Sequence, residues 1–451
     1  MQRLRRRVAI AGTLVPLLAG RALAHGGGLR SEAGEALSVP TWLVLLTGGA
    51  VVGASFLLAS LATDRALVRA VHEWGVAVPT NRRVGRVLWA LGSLVGLLAV
   101  CAVVLSGLFG PPNQLRNAAI LLVWVGWWAG LPMVAYLLGD PWPALNPVRT
   151  LADVLPGAGL EYPEALGAWP ATVGLLALIW LEVVMPLASN PRLLALVVTC
   201  YVIVALAGAV AFGESWFRRA DPVERVFRSY GKVGSLSRGR LHLPGSALVD
   251  ERARDPGAVA FVVALLWGTT YDGLVGTELV AGAIPSVVAL GVPPRVVYGL
   301  AFLAGFGVFL GAFSLAARLA RRSAPTYEPA ERVARRFAPA LLPIAAGYHL
   351  AHYLAYFLSL LPALGGAALM PWAPPDPTVL VVPGWFSAVG PLAVLVGHLL
   401  AVWVAHAVAF DFFPGRLQAI RSQYPLTAVM VLYTAVSLWV ITQPEVTPAY
   451  L

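Results

Sequence analysis

The sequence predicts an all-α protein, a polytopic bundle of transmembrane helices with about ten spans, on three observations. First, 59% of the 451 residues are hydrophobic and only 12% are charged, with a mean hydropathy of +0.76, whereas soluble domains hold about 25% charged residues. Second, apolar runs long enough to cross a bilayer recur along the whole chain. Third, arginines are concentrated in alternate connections between these runs, which is typical of a multi-pass membrane protein.

Residues 1–24 have the pattern of a signal peptide. A basic start is followed by a short apolar run and by a small-x-small cleavage motif that ends at Ala24. Cleavage there gives a mature chain that begins at His25 and an extracytoplasmic segment over 25–39. The alternative is an uncleaved first helix, which the shortness of the apolar run and its interruption by Arg21 disfavour.

The transmembrane domain is predicted over 40–442, with an extracytoplasmic tail over 443–451. Runs of ~20 apolar residues predict spans at approximately 40–62, 87–109, 117–138, 168–188, 192–213, 257–275, 295–318, 337–362, 384–410 and 422–442. With the mature N-terminus outside, the outer connections hold few arginines, namely Arg116, Arg192 and Arg295. The positive-inside rule therefore predicts a protein of the cytoplasmic membrane with both mature ends outside.

The formal net charge of +10 is assigned to the arginine-rich cytoplasmic connections, so we exclude a nucleic-acid partner. The predicted partners are the lipid bilayer and its anionic head groups. The basic cytoplasmic loop 214–256 is expected to lie on that leaflet or to stay mobile. The segment 139–149, GDPWPALNPVR, has three prolines among aromatic and apolar residues, which favours a turn at the membrane interface.

The sixth span departs from a plain helix pattern. It ends in Gly268-Thr-Thr-Tyr-Asp-Gly273, and a glycine on each side of a polar cluster predicts a broken helix at membrane depth. The next apolar run, 279–290, contains Pro285 and is too short to cross, so it predicts a re-entrant or surface segment. Cys101 and Cys200 lie within apolar spans and are expected to be small buried residues.

The candidate metal ligands lie in two neighbouring spans. An ionisable residue inside a membrane persists where it faces a partner, a cavity or an ion. His349 and His352 are three residues apart and so lie on one helix face, a spacing that also serves paired metal ligands in helical bundles. His398 lies near the middle of the next, antiparallel span, which predicts a three-histidine site suited to a copper or zinc ion.

Two carboxylates are predicted near these histidines. Asp272 and Glu182 both fall in the outer half of the membrane, so a polar pocket that opens outward is expected, with the carboxylates as catalytic groups beside a metal-activated water. His406 is left out because it lies ~12 Å further along its helix. At the mature N-terminus, the amine and imidazole of His25 form a chelate suited to Cu(II).

The same residues allow two other interpretations. Histidines and carboxylates inside a membrane also form proton or substrate paths in pumps and transporters. Alternatively, each histidine donates to a backbone carbonyl or a tyrosine and only stabilises helix packing.

Several motifs resemble a family of multi-pass membrane proteins of actinobacteria and related bacteria that is often labelled fenitrothion hydrolase-like. These motifs are Ala24-His-Gly with Arg30-Ser31, GDPWPALNPVRTL (139–151), Tyr271-Asp-Gly-Leu274, GYHLAHY (347–353) and RSQYPLTAVMVLYTAVSLWVITQ (421–443). The resemblance implies hydrolysis of an organophosphate ester at the membrane and a second membrane subunit as a partner. It assigns no catalytic residue.

The leading hypothesis is an integral membrane metalloprotein whose histidine-lined site uses or handles copper or zinc reached from the outer face. The first alternative is the organophosphate hydrolase that the resemblance implies, with the metal activating water. The second is a metal or proton-coupled transporter without catalysis, in which His25 captures a metal ion.

Overall fold

The computed structural model describes residues 40–79, 81–237, 239–444 and 446–450. The predicted signal peptide, the segment 25–39 and His25 lie outside the described residues.

The described chain is mostly helical and has few strand residues, as predicted. The helices of the first half are α1 (Thr41–Leu61), α2 (Arg65–Glu73), α3 (Arg82–Phe109), α4 (Ala118–Leu137), α5 (Trp142–Leu145), α6 (Pro147–Ala152), α7 (Trp169–Val184), α8 (Pro191–Phe212), α9 (Glu214–Arg219) and α10 (Pro222–Gly231). Those of the second half are α11 (Pro256–Val275), α12 (Glu278–Val288), α13 (Pro294–Ser323), α14 (Ala330–Phe337), α15 (Leu342–Leu369), α16 (Val389–Phe412) and α17 (Arg416–Thr442).

Strands are confined to one small antiparallel sheet of β1 (Gly75–Ala77), β2 (Leu236–Ser237) and β3 (Arg240–His242) in the described ranges. β3 is central, with Gly75 opposite His242 and Leu236 opposite Leu241. The sheet joins the connection that follows α2 to the segment that follows α10.

The connections sort into two ends of the bundle. At one end the Arg65 guanidinium donates to the carbonyl of Phe410 (2.7 Å), and Arg336 pairs with Asp411 (2.6 Å). We call this the arginine-rich end. At the opposite end, Val446 donates its N–H to the carbonyl of Gly276 (2.7 Å). Because successive long helices alternate between these ends, the protein is multi-pass, as the arginine pattern predicts; which end faces the cytoplasm stays a prediction.

Nine helices of the described chain are long and apolar enough to cross a membrane. Exposed leucines along α1, α3 and α13, among them Leu57, Leu98 and Leu303, give these helices an apolar outer surface. The predicted fourth span is shorter than expected, since α7 has only 16 residues, or ~24 Å. It ends at Val184 because Pro186 disfavours helical backbone at the residue before it.

The predicted break in the sixth span is wrong. α11 continues through Gly268 and Gly273 to Val275, because close packing rather than bending requires the glycines: a Cβ at Gly268 would lie against the Ile179 side chain. Side chains from Gly257 to Trp267 are buried on all sides, so α11 is the central helix of the bundle. The run after it forms the short helix α12.

Two connections at the arginine-rich end are more ordered than expected. The segment 214–256 is folded and not mobile, since α10 buries Glu224, Phe227 and Tyr230 against the bundle, while its contact with anionic lipid stays a prediction. The segment 139–149 forms two short helices, α5 and α6, and buries Trp142, while its position at the membrane interface stays a prediction.

The two cysteines depart from expectation as well. Cys101 and Cys200 are exposed on the bundle surface instead of buried, because each side chain lies on the outward face of its helix, on α3 and α8 respectively.

A close crossing of α15 and α16 positions the histidine segment. A Cβ at Gly347 would lie 2.5 Å from the carbonyl oxygen of Ala393 and 3.1 Å from the Cα of Gly397. Two facing glycines therefore let the backbones touch, as small residues do in membrane helix pairs. The crossing lies directly before His349 on one helix and His398 on the other.

Candidate functional site

Asp272 is the centre of a polar cluster between α11 and α15. Its Oδ2 lies 3.1 Å from Nε2 of His352 and accepts the Tyr353 hydroxyl at 2.9 Å. The His352 side chain is 33% exposed and that of Asp272 13%, so this pair of side chains is reached from the protein surface. Counting ~1.5 Å per residue from the start of α11 places Asp272 ~24 Å from the arginine-rich end.

The third helix of the cluster is α4, which is wound as a π-helix over Leu121–Gly130. Trp128 in this stretch donates its indole N–H to the Tyr353 hydroxyl at 2.9 Å. In an α-helix the carbonyl of Trp128 would accept the N–H of the residue four positions later. That residue is Pro132, which has no N–H to donate. The carbonyl instead lies 3.1 Å from Nε2 of His349. π-helical turns often occur at functional sites, and here the π-helix aims both polar groups of one tryptophan at α15.

His349 is held at both ring nitrogens. Since a carbonyl only accepts, Nε2 carries the proton that is donated to Trp128. Nδ1 lies 3.2 Å from the hydroxyl of Tyr136, which donates to it when the ring is neutral. The ring also lies 4.7 Å, centre to centre, from that of Tyr353. Neither nitrogen is free for a metal in this arrangement.

Glu182 from α7 completes the cluster. It is 8% exposed, and its Oε1 has no hydrogen-bond partner among the described residues. It lines a cavity of about 20 Å³ together with Asp272, His349, Tyr353 and Tyr230. This volume accommodates about one water molecule. The sequence-predicted carboxylates therefore do turn inward, and they face one small polar chamber.

A second, larger cavity adjoins the first. Its volume is about 350 Å³, and Glu182 and Trp128 lie in the walls of both cavities. The remaining walls are almost wholly apolar and come from α3, α4, α5, α6, α7, α8 and α10. This cavity could not be predicted from the sequence, because its size depends on how several helices pack against one another.

His398 does not join the other two predicted ligands in a cavity. Its Nδ1 donates to the carbonyl of Val394 (2.8 Å), and its Nε2 is buried with no partner in the described part of the chain. His406 lies towards the arginine-rich end, between Gln423 (3.1 Å) and the carbonyl of Ala62 (3.0 Å).

Over the described ranges, no three His, Cys, Asp or Glu side chains are grouped as a metal site. The copper or zinc hypothesis on His349, His352, His398 and His25 stays a prediction.

A buried ionic network at the arginine-rich end was not predicted from the sequence. Glu224 is 1% exposed and accepts from Arg149 (2.9 Å), Arg228 (3.0 Å) and the Asn146 amide (3.0 Å). Two sequence features pointed to this network: the interspersed acidic and basic residues of 214–228 and the Asn-Pro-Val-Arg motif at 146–149.

Two carboxyl groups near this network have raised pKa values. Burial raises the pKa of Asp140 to about 6, although its side chain accepts from the N–H of Trp142. Burial likewise raises the pKa of Asp221 to about 6, although the hydroxyl of Tyr201 donates to it at 2.9 Å.

Comparison of the chain with known protein families, with curated proteins and with solved structures found no match. The resemblance to the fenitrothion hydrolase-like family therefore stays a prediction that rests on the motifs alone.

Proposed function

We propose that the protein is a proton-coupled membrane transporter whose proton-binding centre comprises Asp272, His352, Tyr353 and Glu182. The observation that carries this proposal is the shared acceptor Oδ2 of Asp272, which bonds a histidine and a tyrosine within a membrane bundle. Ionisable groups at this depth are costly and are typical of proton and substrate pathways.

The balance of charge supports a proton at the centre. Two carboxyl groups, those of Asp272 and Glu182, line one small chamber, and Asp272 also contacts the imidazole of His352. Two carboxylates in a medium of low dielectric constant repel each other, so such pairs share a proton. A change of partner or of hydration therefore moves a proton onto or off this pair.

A line of polar side chains leads from the centre towards the arginine-rich end. The ring of Tyr353 contacts that of His349, which bonds Tyr136, whose ring lies 5.4 Å from that of Tyr230. A Cβ at Gly231, the next residue after Tyr230, would touch the side chain of Asp140. With His352 exposed on the other side, ionisable side chains lie along much of the depth of the bundle.

The test measures proton binding without requiring a known substrate. Purified full-length protein is reconstituted on a solid-supported membrane, and a pH jump is applied. We expect a transient displacement of charge in the wild type, and a loss of most of it in Asp272→Asn and Glu182→Gln. Difference infrared spectra across a pH titration should show a protonated carboxyl band that the same substitutions remove.

The matched control is Asp376→Asn, since Asp376 is 95% exposed in the connection before α16. It should behave as the wild type in both measurements. Retention of the full charge displacement and of the carboxyl band in Asp272→Asn would contradict the proposal.

The metal hypothesis makes a different prediction for the same protein. It requires His349 to leave both present partners. Stoichiometric copper or zinc in purified protein, lost in the His349→Ala/His352→Ala variant, would favour it over the proton-binding centre. Hydrolysis of a chromogenic phosphotriester that also depends on Asp272 would favour the hydrolase alternative.

A further inference from the structure

We propose that the larger cavity is the binding site of a lipophilic organic cation, which pairs with Glu182. This inference names a substrate class for the proposed transporter, and in its coupling step it rests on that function. The cavity itself is an independent observation.

The shape and lining of the cavity suit a hydrophobic ligand. Its volume of about 350 Å³ falls in the range of small-molecule sites. Aromatic rings form much of the wall, from Trp124, Trp127 and Trp128 on α4, Trp142 on α5 and Phe227 on α10. Tryptophan faces attract cations through their negative π-surface, and they do so most strongly where water is excluded.

The charge of the cavity favours a cation over an anion or a neutral molecule. No lysine or arginine lines it among the described residues, whereas Glu182 does. The unpartnered Oε1 of Glu182 is buried, and an unpaired buried carboxylate oxygen is costly. A cation beside Glu182 removes that cost, and an anion there increases it.

The access of the site also fits a ligand that arrives from the bilayer. Val95 and Ala99 of α3 line the cavity, and this helix exposes Leu94 and Leu98 on its outer surface. α3 is also one of the least enclosed of the long helices. A hydrophobic cation dissolved in the membrane reaches the cavity along this wall.

Cation binding and proton binding compete at Glu182. The ionisable groups that face this carboxyl are Asp272 on α11 and Tyr353 and Tyr356 on α15. The other ionisable groups that line the two cavities are His349, Tyr201 and Tyr230. When a cation enters, the proton held by the carboxyl pair leaves to water, so one positive charge replaces another. Net charge in the membrane is thereby conserved, which is the requirement for exchange of a proton for a cation.

The probe is tritiated tetraphenylphosphonium, which has a size-matched anion, tetraphenylborate. Binding to purified full-length protein is measured by scintillation proximity, with each unlabelled ion as competitor. We expect saturable binding that unlabelled tetraphenylphosphonium displaces and tetraphenylborate does not. The affinity should rise with pH, by up to about tenfold per pH unit while the carboxyl pair is protonated.

Three variants sharpen the test. Glu182→Gln should weaken binding by at least about tenfold, which corresponds to the loss of one charge pair. Val197→Trp, which places a bulky side chain in the cavity wall, should abolish binding although the carboxyl remains. Glu164→Gln is the control, because Glu164 is 91% exposed, and it should bind as the wild type does. Elution profile and thermal unfolding establish that each variant is folded.

Each outcome decides one part of the inference. Absence of saturable binding, equal binding by Glu182→Gln, or equal displacement by tetraphenylborate would overturn the cation site. Binding that depends on Glu182 but not on pH would keep the cation site and overturn the exchange step. Cation binding without the charge displacement after a pH jump would count against the proposed transporter and not against the cavity.

Discussion

Tyr353 connects three elements through one hydroxyl. It donates to Asp272 on α11 and accepts from Trp128 on α4, while its ring contacts His349 on its own helix. A buried hydroxyl in two bonds is worth more than either bond alone, since its loss leaves both partners unsatisfied. The residue therefore has a structural role as well as a place in the proton-binding centre.

Tyr353→Phe should lower the free energy of unfolding by ~1–3 kcal/mol, because the Trp128 indole and an Asp272 oxygen both lose a partner. Unfolding in a denaturant series in one fixed detergent measures the change. Tyr356→Phe is the matched control, since the Tyr356 hydroxyl is buried without a partner in the described chain. A loss as large in Tyr356→Phe would show that the Tyr353 bonds are not the cause.

The carboxyl group of Asp140 makes the stability of the fold depend on pH. Burial raises the pKa of this carboxyl from 3.8 to about 6, so the folded state holds its proton to a higher pH than the unfolded state. Stability then falls as the pH rises from about 4 to about 6 and stays reduced above that range. The charge on Asp140 thus destabilises the fold at neutral pH.

Asp140→Asn keeps the acceptor for the Trp142 N–H and removes the charge. We expect the variant to be more stable than the wild type by ~1–2 kcal/mol above pH ~6, with the gain disappearing below pH ~4. Thermal unfolding across that pH range measures it. Asp376→Asn should show no such pH-dependent gain, and a constant difference for Asp140→Asn at every pH would refute the explanation.

At the scale of elements, the crossing of α15 and α16 fixes how the histidine segment lies. The facing glycines, Gly347 and Gly397, have no room for side chains, since a Cβ at Gly397 would lie 2.5 Å from the carbonyl oxygen of Pro343. Backbone atoms cannot move aside as a flexible side chain does. Separation of the two helices is the one way to accommodate a larger residue.

Gly347→Ala should destabilise the protein by ~1–3 kcal/mol and weaken the charge displacement, because overpacking shifts α15 and with it His352. Gly365→Ala on the same helix is the control: no atom lies within 4 Å of a Cβ there, so it should be neutral or slightly stabilising. Equal destabilisation by both substitutions would show that the close crossing at Gly347 is not the cause.

At the scale of the whole molecule, the arginine-rich end is held together by ionic contacts between segments distant in the chain. Glu224 bonds Arg149 and Arg228, and Arg149 also bonds Glu214 at 2.6 Å. These contacts bring α6, α9 and α10 together, and α6 and α10 both line the larger cavity. The network therefore supports part of the cavity wall as well as stabilising the fold.

Glu224→Gln should cost ~1–3 kcal/mol, because the partly buried guanidinium groups of Arg149 and Arg228 lose a charged partner, although Arg149 keeps Glu214. The same variant should weaken tetraphenylphosphonium binding, because α6 and α10 contribute to the cavity wall. Unfolding and ligand binding measure the two effects. Glu164→Gln, on an exposed carboxyl 3.9 Å from Arg219, should change neither.

Several features could be predicted from the sequence because they depend on local pattern. Apolar run length fixes where helices cross a membrane, and arginine placement separates the ends of the bundle. Inward placement of Asp272 and Glu182 also follows from the cost of ionisable groups in lipid. α7 is short because of Pro186, a local signal that hydropathy alone overlooks.

Which side chains meet was decided only by the tertiary structure. Similar depth suggested that His398 joins His349, yet depth does not fix the direction in which a side chain leaves its helix. Asp272 instead bonds His352 and Tyr353, and the polar groups of Trp128 reach α15 because α4 is wound as a π-helix. The sequence by itself thus determined the helices, their alternation across the bundle and the candidate site residues. The tertiary structure decided which side chains those residues contact and formed the cavity beside Glu182, because both depend on how the helices rotate and cross when they pack.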